Sequence, residues 1–281
     1  MRPWLLRLFV GLVAFCLSNL AWAFLVEPNW IALTHHRVVA PPGSGLAAPL
    51  RIGHITDLHT TGLGGREARM VRMLLDEEPD VIVVTGDTVT ADGTAAGYRA
   101  VWKALVEVGA EYGVINVRGN WEYWATGTMQ RTDASGPMGA SELEADELGV
   151  VTLVNANTRL REDLWVLGLD DPLAGHRDQP LTRRGVPDDV YRLGLMHSPE
   201  VAHAFAKDVH LVLAGHSHGG QIVLPLLGPP WLPPGVGDYV AGWYEEEGTP
   251  IFVNRGLGTS VLPVRWNCRP EVAIIEVVPA S

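Results

Sequence analysis

Short apolar runs alternate with helically spaced apolar positions along the first half of the chain. "RIGHIT" (51–56) reads as a buried strand, and "REARMVRMLLDEE" (66–78) places Met70, Met73 and Leu74 on one helical face. "VIVV" (81–84) is a continuous apolar run, as in a strand covered on both faces. "AAGYRAVWKALVEVG" (95–109) spaces Tyr98, Val101, Trp102 and Leu105 as a helix would, and "YGVINV" (112–117) reads as a third strand. This is β-α-β-α-β, the order of a largely parallel sheet with helices packed on it. Later segments lean toward strands: "VVTLVN" (150–155), "LWVLGL" (164–169), "RLGLM" (192–196), "LVLAG" (211–215), "PIFVN" (250–254) and "EVAIIEV" (271–277). One short helix, "PEVAHAFAKD" (199–208), falls among them. The pattern predicts one α/β domain of about 230 residues with a second, mixed sheet.

The N-terminus follows another rule. Arg2 and Arg7 precede a charge-free run from Leu8 to Val26, with Trp22 and Trp30 placed as an interfacial aromatic belt. Residues 1–26 therefore read as a membrane anchor. The rival is a cleaved signal with a short apolar region at Leu8–Leu17 and an Ala21-Trp22-Ala23 cleavage site. Under either reading the basic flank leaves the rest of the chain outside the cytoplasm, whereas a helix lying flat on the inner surface would keep it inside. Residues 27–49, ending in the Pro/Gly/Ser-rich "APPGSGLAAP", read as a linker, so the folded domain is expected at 50–281.

Composition narrows the partners. Of the 281 residues 47% are hydrophobic, enough for a sizeable core. A net charge of −11 makes nucleic acid a poor partner. The two cysteines, Cys16 and Cys268, imply no disulfide framework, because Cys16 lies in the apolar N-terminal run.

The chemistry turns on "GHSHGG" (215–220), which satisfies both G-x-S-x-G and H-x-H. A serine elbow built on Ser217 needs a histidine further along the chain, and His218 is the last one. The metal reading instead gains a residue at each strand end: Asp57 and His59 in "ITDLH", Asp87 in "VVTGD", Asn120 in "NVRGN", His197 in "LMHSP", then His216 and His218. Side chains at the carboxyl ends of strands in an open α/β sheet converge on one crevice. Singly, each motif has an ordinary explanation as a turn or a cap. Together, in this order, they require five coincidences.

The set D-x-H, GD, GN, H, GHSH resembles the signature of calcineurin-like metallophosphoesterases over roughly residues 50–278. The tail from "GGQIVLP" to "VRWNCRPE" resembles the bacterial membrane-associated branch that includes UDP-diacylglucosamine hydrolases. The resemblance implies a four-layer α/β/β/α sandwich of two mixed sheets and two divalent ions, Mn, Fe or Zn. Carried over by motif, Asp57, His59 and His218 would hold one ion and Asn120, His197 and His216 the other, with Asp87 between them. Asp87, Asn120, Glu122 and His216 form the catalytic set that follows, and attack by a hydroxide between ions ~3.5–4 Å apart is the reaction it implies.

One departure changes the expected substrate. The family motif continues Gly-Asn-His-Asp or Gly-Asn-His-Glu, whereas this chain has "GNWEYW", with Trp121 in the place of the histidine. An indole N–H donates a hydrogen bond but cannot give up a proton. Losing a general acid removes ~10²–10⁴-fold in rate, least where the leaving group is already a stable anion. The expectation moves toward pyrophosphate linkages or activated diesters, including a lipid-linked substrate such as UDP-diacylglucosamine. Trp121 and Arg255 are the expected substrate contacts, with a structural ion pair as the alternative for Arg255. His176, in "GLDDPLAGHRD", is either a substitute acid or an ordinary loop histidine. "GPPWLPPG" (228–235) could dip Trp231 and Leu232 into a membrane or simply pack on its own domain. A metal- or phosphate-binding module with decayed catalysis is the non-enzymatic alternative.

Overall fold

The computed structural model describes residues 3–125, 130–131 and 144–280; Arg2 of the basic flank lies outside them. The chain opens with α1 (Pro3–Ala21), which has no buried residue and continues through single turns at Trp22–Val26 and Glu27–Asn29. The stretch Pro3–Asn29 is long and apolar enough to cross a membrane.

The strands are β1 (Ala32–Val39), β2 (Leu50–Ile55), β3 (Val81–Thr85), β4 (Val114–Val117), β5 (Trp124–Ala125), β6 (Gln130–Arg131), β7 (Val151–Leu153), β8 (Ala156–Arg161), β9 (Leu164–Gly168), β10 (Tyr191–Leu195), β11 (Leu211–Ala214), β12 (Gly242–Glu246), β13 (Thr249–Val253) and β14 (Glu271–Val278). They form two six-stranded sheets, β1-β14-β2-β3-β4-β7 and β12-β13-β11-β10-β9-β8, with β5 and β6 paired apart. Both sheets are mixed. In the first, β2, β3, β4 and β7 run parallel and β14 antiparallel to β2; in the second, β9, β10, β11 and β13 run parallel between antiparallel edges.

Alternation builds the layers. Val81 and Val83 of β3 face the core between the sheets, with Ile52, Ile115, Leu193, Leu213 and Phe252. Ile82 and Val84 face the other way, onto Met70 and Leu74 of α2 (Gly65–Glu77) and onto Tyr98, Val101, Trp102 and Leu105 of α3 (Ala95–Val106). On the far side of the second sheet, Leu167, Val212 and Ile251 pack against Ala202 and Phe205. The short α4 (Gln179–Arg183) and α5 (Ala202–Phe205) complete that outer layer. The four-layer α/β/β/α sandwich is the observed fold.

Two expectations need correction. Residues 27–49 are not a linker throughout: Ala32–Val39 pairs in parallel with β14 over its whole length, from Ala32 opposite Glu271 to Val39 opposite Val278. His35 and His36 are thus strand residues, and the His36 ring packs 4.7 Å from Phe252 and accepts from Trp243 Nε1 at 3.1 Å. "ALTHHRVV" lies at a sheet edge and is polar enough to read as connector, as are the edge strands "ANTRLR" and "GWYEE". Second, "PEVAHAFAKD" is not one helix but a single turn at Pro199–Val201 followed by α5.

Trp102 is 1% exposed between α3 and the first sheet. Trp102→Ala is expected to destabilise the fold by about 3–5 kcal/mol in urea unfolding, without altering metal uptake.

Candidate metal centre

Five parallel strands end at one rim. Asp57 and His59 follow β2, Asp87 follows β3 and Asn120 follows β4, while His197 follows β10 and His216 and His218 follow β11. The loops extend the ladders: Asp57 N donates to Gly86 O at 3.0 Å, His59 N to Asp87 O at 3.0 Å and Gly215 N to His197 O at 3.0 Å. Gly215 makes the junction of the two sheets feasible, because a Cβ there would lie 2.0 Å from Thr56 Oγ1 and 2.6 Å from Asp57 Oδ2. His216 N then donates to Asp57 Oδ2 at 2.8 Å.

The backbone bends sharply at these residues. Asp57 (φ 51°), His59 (φ 40°), Asp87 (φ 52°), His216 (φ 69°) and His218 (φ 52°) all occupy the left-handed region. Such conformations are uncommon outside glycine and concentrate at functional sites.

The side chains meet in two groups, Asp57–His59–His218 and Asp87–His197–His216, each with donor atoms within 4.8 Å of one another. His218 Nε2 lies 3.2 Å from Asp57 Oδ1 and 3.1 Å from His59 Nε2. His197 Nε2 lies 3.2 Å from Asp87 Oδ2 and 3.1 Å from His216 Nδ1. Asp87 Oδ2 is also 3.5 Å from His59 Nε2, so one carboxylate touches both groups. Ring nitrogens ~3 Å apart suit adjacent ligands of one cation at bond lengths of ~2.0–2.1 Å.

The outer partners fit a metal as well. His197 Nδ1 meets Thr85 O at 2.7 Å and His216 Nε2 meets Pro234 O at 2.6 Å. Each carbonyl can hold the ring proton on the far nitrogen and leave the inward one as a lone-pair donor. Asn120 Oδ1 is buried without a hydrogen-bond partner beside these residues, as an amide ligand would be. Burial lowers the His59 imidazole to about 4, Asp87 partly opposing it, and lowers His218 well below its usual range. Burial would also lower His197, but the adjacent Asp87 carboxylate outweighs it and raises that imidazole. Neutral imidazoles and ionised carboxylates are the forms that bind metals.

Glu122, expected in the catalytic set, has another role. Its carboxylate is buried and accepts from Asp87 N at 3.0 Å, Thr88 N at 2.8 Å and Gly119 N at 2.8 Å. It clamps the turns carrying Asp87 and Asn120, and acts by positioning. Gly119 permits that clamp, since a Cβ there would sit 2.2 Å from Asp87 Oδ1. Arg255 forms an ion pair, with Nε 3.1 Å from Glu271 Oε2. Trp121 is half-buried, its ring 5.3 Å from His59 and nearly perpendicular to it, and its backbone N–H donates to Asp87 Oδ1 at 2.9 Å. His176 belongs to neither group. Ser217 is fully buried, with its Oγ accepting from Gly219 N at 3.1 Å, so it is a turn cap.

Sequence reasoning missed the braces. Asp171 accepts from Ser198 Oγ, next to His197, and from Leu173 N and Ala174 N at 2.9 Å. Arg265 is fully buried and donates to the carbonyls of Arg255, Gly256, Gly258 and Cys268, which frame the loops behind Asp57 and His218. The only sequence signal for either was its place, "GLDDP" or "RWNCRPE", inside stretches already singled out.

An α/β/β/α sandwich with two such groups at its strand ends has the donor set of a two-metal centre. Residues 50–220 match the model of the calcineurin-like phosphoesterases. A metallophosphoesterase of Bacillus subtilis (strain 168), YkuE, is 30% identical over 97% of this chain and 96% of its own. The phosphodiesterase YaeI of Escherichia coli (strain K12) is 28% identical over 93% of both chains. A bovine transmembrane protein with a metallophosphoesterase domain is 29% identical over 82% of this chain and 54% of its own. The chain belongs to the calcineurin-like phosphoesterases.

Glu122→Gln leaves one oxygen where two accept three amides. Metal affinity is expected to fall ~10–100-fold, read by competition with a chelating dye, while Asp171→Asn should weaken it less.

Proposed function

We propose that the chain hydrolyses a phosphodiester or pyrophosphate bond in a lipid-linked substrate, UDP-diacylglucosamine being one such compound. The observation that carries the hydrolytic reading is the single carboxylate, Asp87, within 3.5 Å of imidazoles from both ligand groups. Asp57, His59 and His218 hold one divalent ion, and Asn120, His197 and His216 the other, with Asp87 shared. Mn, Fe or Zn suits this oxygen and nitrogen donor set. Two such ions together supply a nucleophilic water ionised near neutral pH and stabilise charge on the phosphoryl oxygens.

The protein groups set the rest. The Thr85 and Pro234 carbonyls orient the imidazoles, and Glu122 holds the Asp87 turn. Trp121 stands edge-on to His59, where it can pack against substrate but cannot protonate a leaving oxygen. A phosphate or aryl oxide leaves without that proton, which favours a pyrophosphate or an activated diester over an alkyl diester. The apolar N-terminal helix and the transmembrane relative support a membrane-held domain acting on lipid. The basic flank favours the extracytoplasmic face, and monotopic attachment on the cytoplasmic face suits a nucleotide-linked lipid.

The full-length chain loaded with Mn²⁺ is expected to turn over a p-nitrophenyl phosphodiester. Asp87→Asn should reduce both that rate and metal content, the rate by ~10²-fold or more; two bound ions without turnover on any ester would overturn the reading. Trp121→His should raise alkyl over aryl diester turnover by ~10-fold or more, part of the ~10²–10⁴-fold a positioned acid supplies.

A further inference from the structure

Two loop tips break the usual rule for exposed turns. Leu226 is fully exposed at φ 68°, followed by Leu227 at 81% exposure. Val261 is 80% exposed at φ 65°, followed by the exposed Leu262. Left-handed turn positions in water favour Gly, Asn or Asp, and a β-branched residue there is an outlier. Each tip thus carries both backbone strain and apolar surface left unburied by the described residues.

The tips belong to one region. Gln221 joins their loops, accepting from Ser260 N and donating to Leu262 O at 3.4 Å, and Val223 N donates to Trp266 O at 2.9 Å. Arg265 N donates to Ala23 O at 3.0 Å, tying this region to the turn that follows α1. Residues around it carry interfacial chemistry: Trp22 and Trp30 pack edge to face at 5.6 Å, and the Arg269 guanidinium lies 3.8 Å over Trp30. Trp231 is a further exposed indole on the 221–234 loop, though Leu232 is half-buried.

A cavity of about 630 Å³ opens in the same region, its mixed polar and apolar lining including Phe24, His59, Leu63, Arg66, Glu67 and Pro263. Thr259 and Pro263 are the feet of the loop whose tip is Val261–Leu262. The cavity therefore runs from a metal-centre histidine to the turn that ends the apolar helix.

We propose that the Leu226–Leu227 and Val261–Leu262 tips insert into the bilayer interface and hold this cavity against it, so that a membrane-resident phosphoester reaches the metal centre without leaving the lipid. The occupant is the bilayer, because the tips are joined to the base of a helix of membrane-crossing length. The substrate half of the inference rests on the function proposed above, and the docking half does not.

The test uses the full-length, Mn²⁺-loaded chain with vesicles of mixed phosphatidylethanolamine and phosphatidylglycerol. A nitrobenzoxadiazole probe is attached at Leu262→Cys in a Cys16→Ser background, Cys268 being buried. The expected result is a blue-shifted emission on adding vesicles. Emission that stays aqueous with lipid overturns the docking, and a shift that depends on protein concentration without lipid assigns the tips to a second copy instead. In parallel, Leu226→Asp combined with Val261→Asp is expected to lower hydrolysis of a vesicle-embedded aryl phosphodiester by about 10-fold or more, with the soluble aryl diester unchanged. Asp suits both left-handed positions, so misfolding is not the expected cause. Equal rates on the two substrates overturn the proposal. A wild-type chain that cleaves neither overturns the catalytic reading alone, and the probe then decides docking by itself.

Discussion

Asp87 is the point on which the remaining geometry depends. It is a buried carboxylate with imidazoles of both ligand groups against it, and the neighbouring Asp57 is buried too. Buried charges are costly unless paired, and Asp57 shows the strain: burial, opposed by His197 and reinforced by Asp87, raises its carboxyl to about 6. Concentrating these groups is sustainable only around positive charge. The surrounding structure holds them there with backbone contacts. Glu122 takes three amides of the turns, and the Thr85 and Pro234 carbonyls take the outward imidazole nitrogens. Local distortion is the consequence, visible as five left-handed residues among the seven.

The sandwich makes that concentration feasible. Each sheet supplies parallel strands whose carboxyl ends leave the core at one rim, and the two rims touch where Gly215 meets Thr56 and Asp57. Neither sheet alone carries a complete set. The core between them, from Ile52 and Val83 to Leu213 and Phe252, fixes the separation of the rims. Packing and metal chemistry are therefore coupled through the sheet-to-sheet distance, while an outer-layer residue such as Trp102 is coupled mainly to stability.

Trp121 and the apolar surface bear on one question, the kind of substrate the centre meets. An indole beside His59 narrows the side of the centre without offering a proton. The cavity that His59 helps to line leads to the base of the apolar helix. Together they are the features on which the proposed preference for a good leaving group and a membrane-held substrate rests.

Strand and helix periodicity in the chain determined the β-α-β-α-β start, and the seven candidate ligands were legible because each follows an apolar run. Such residues need only local signals, a buried strand and the turn that ends it. The edge strands β1, β8 and β12 were not legible, because half-exposed pairing tolerates polar residues, and the partner of β1 lies at the far end of the chain. The tertiary structure likewise decided that Glu122 is a brace, that Arg255 belongs to Glu271, and that Arg265 and Asp171 support the site. A side chain's type limits what it can do. Which of those things it does depends on the neighbours that folding brings to it, and for these four the partners include carboxylates, amides and carbonyls on separate turns.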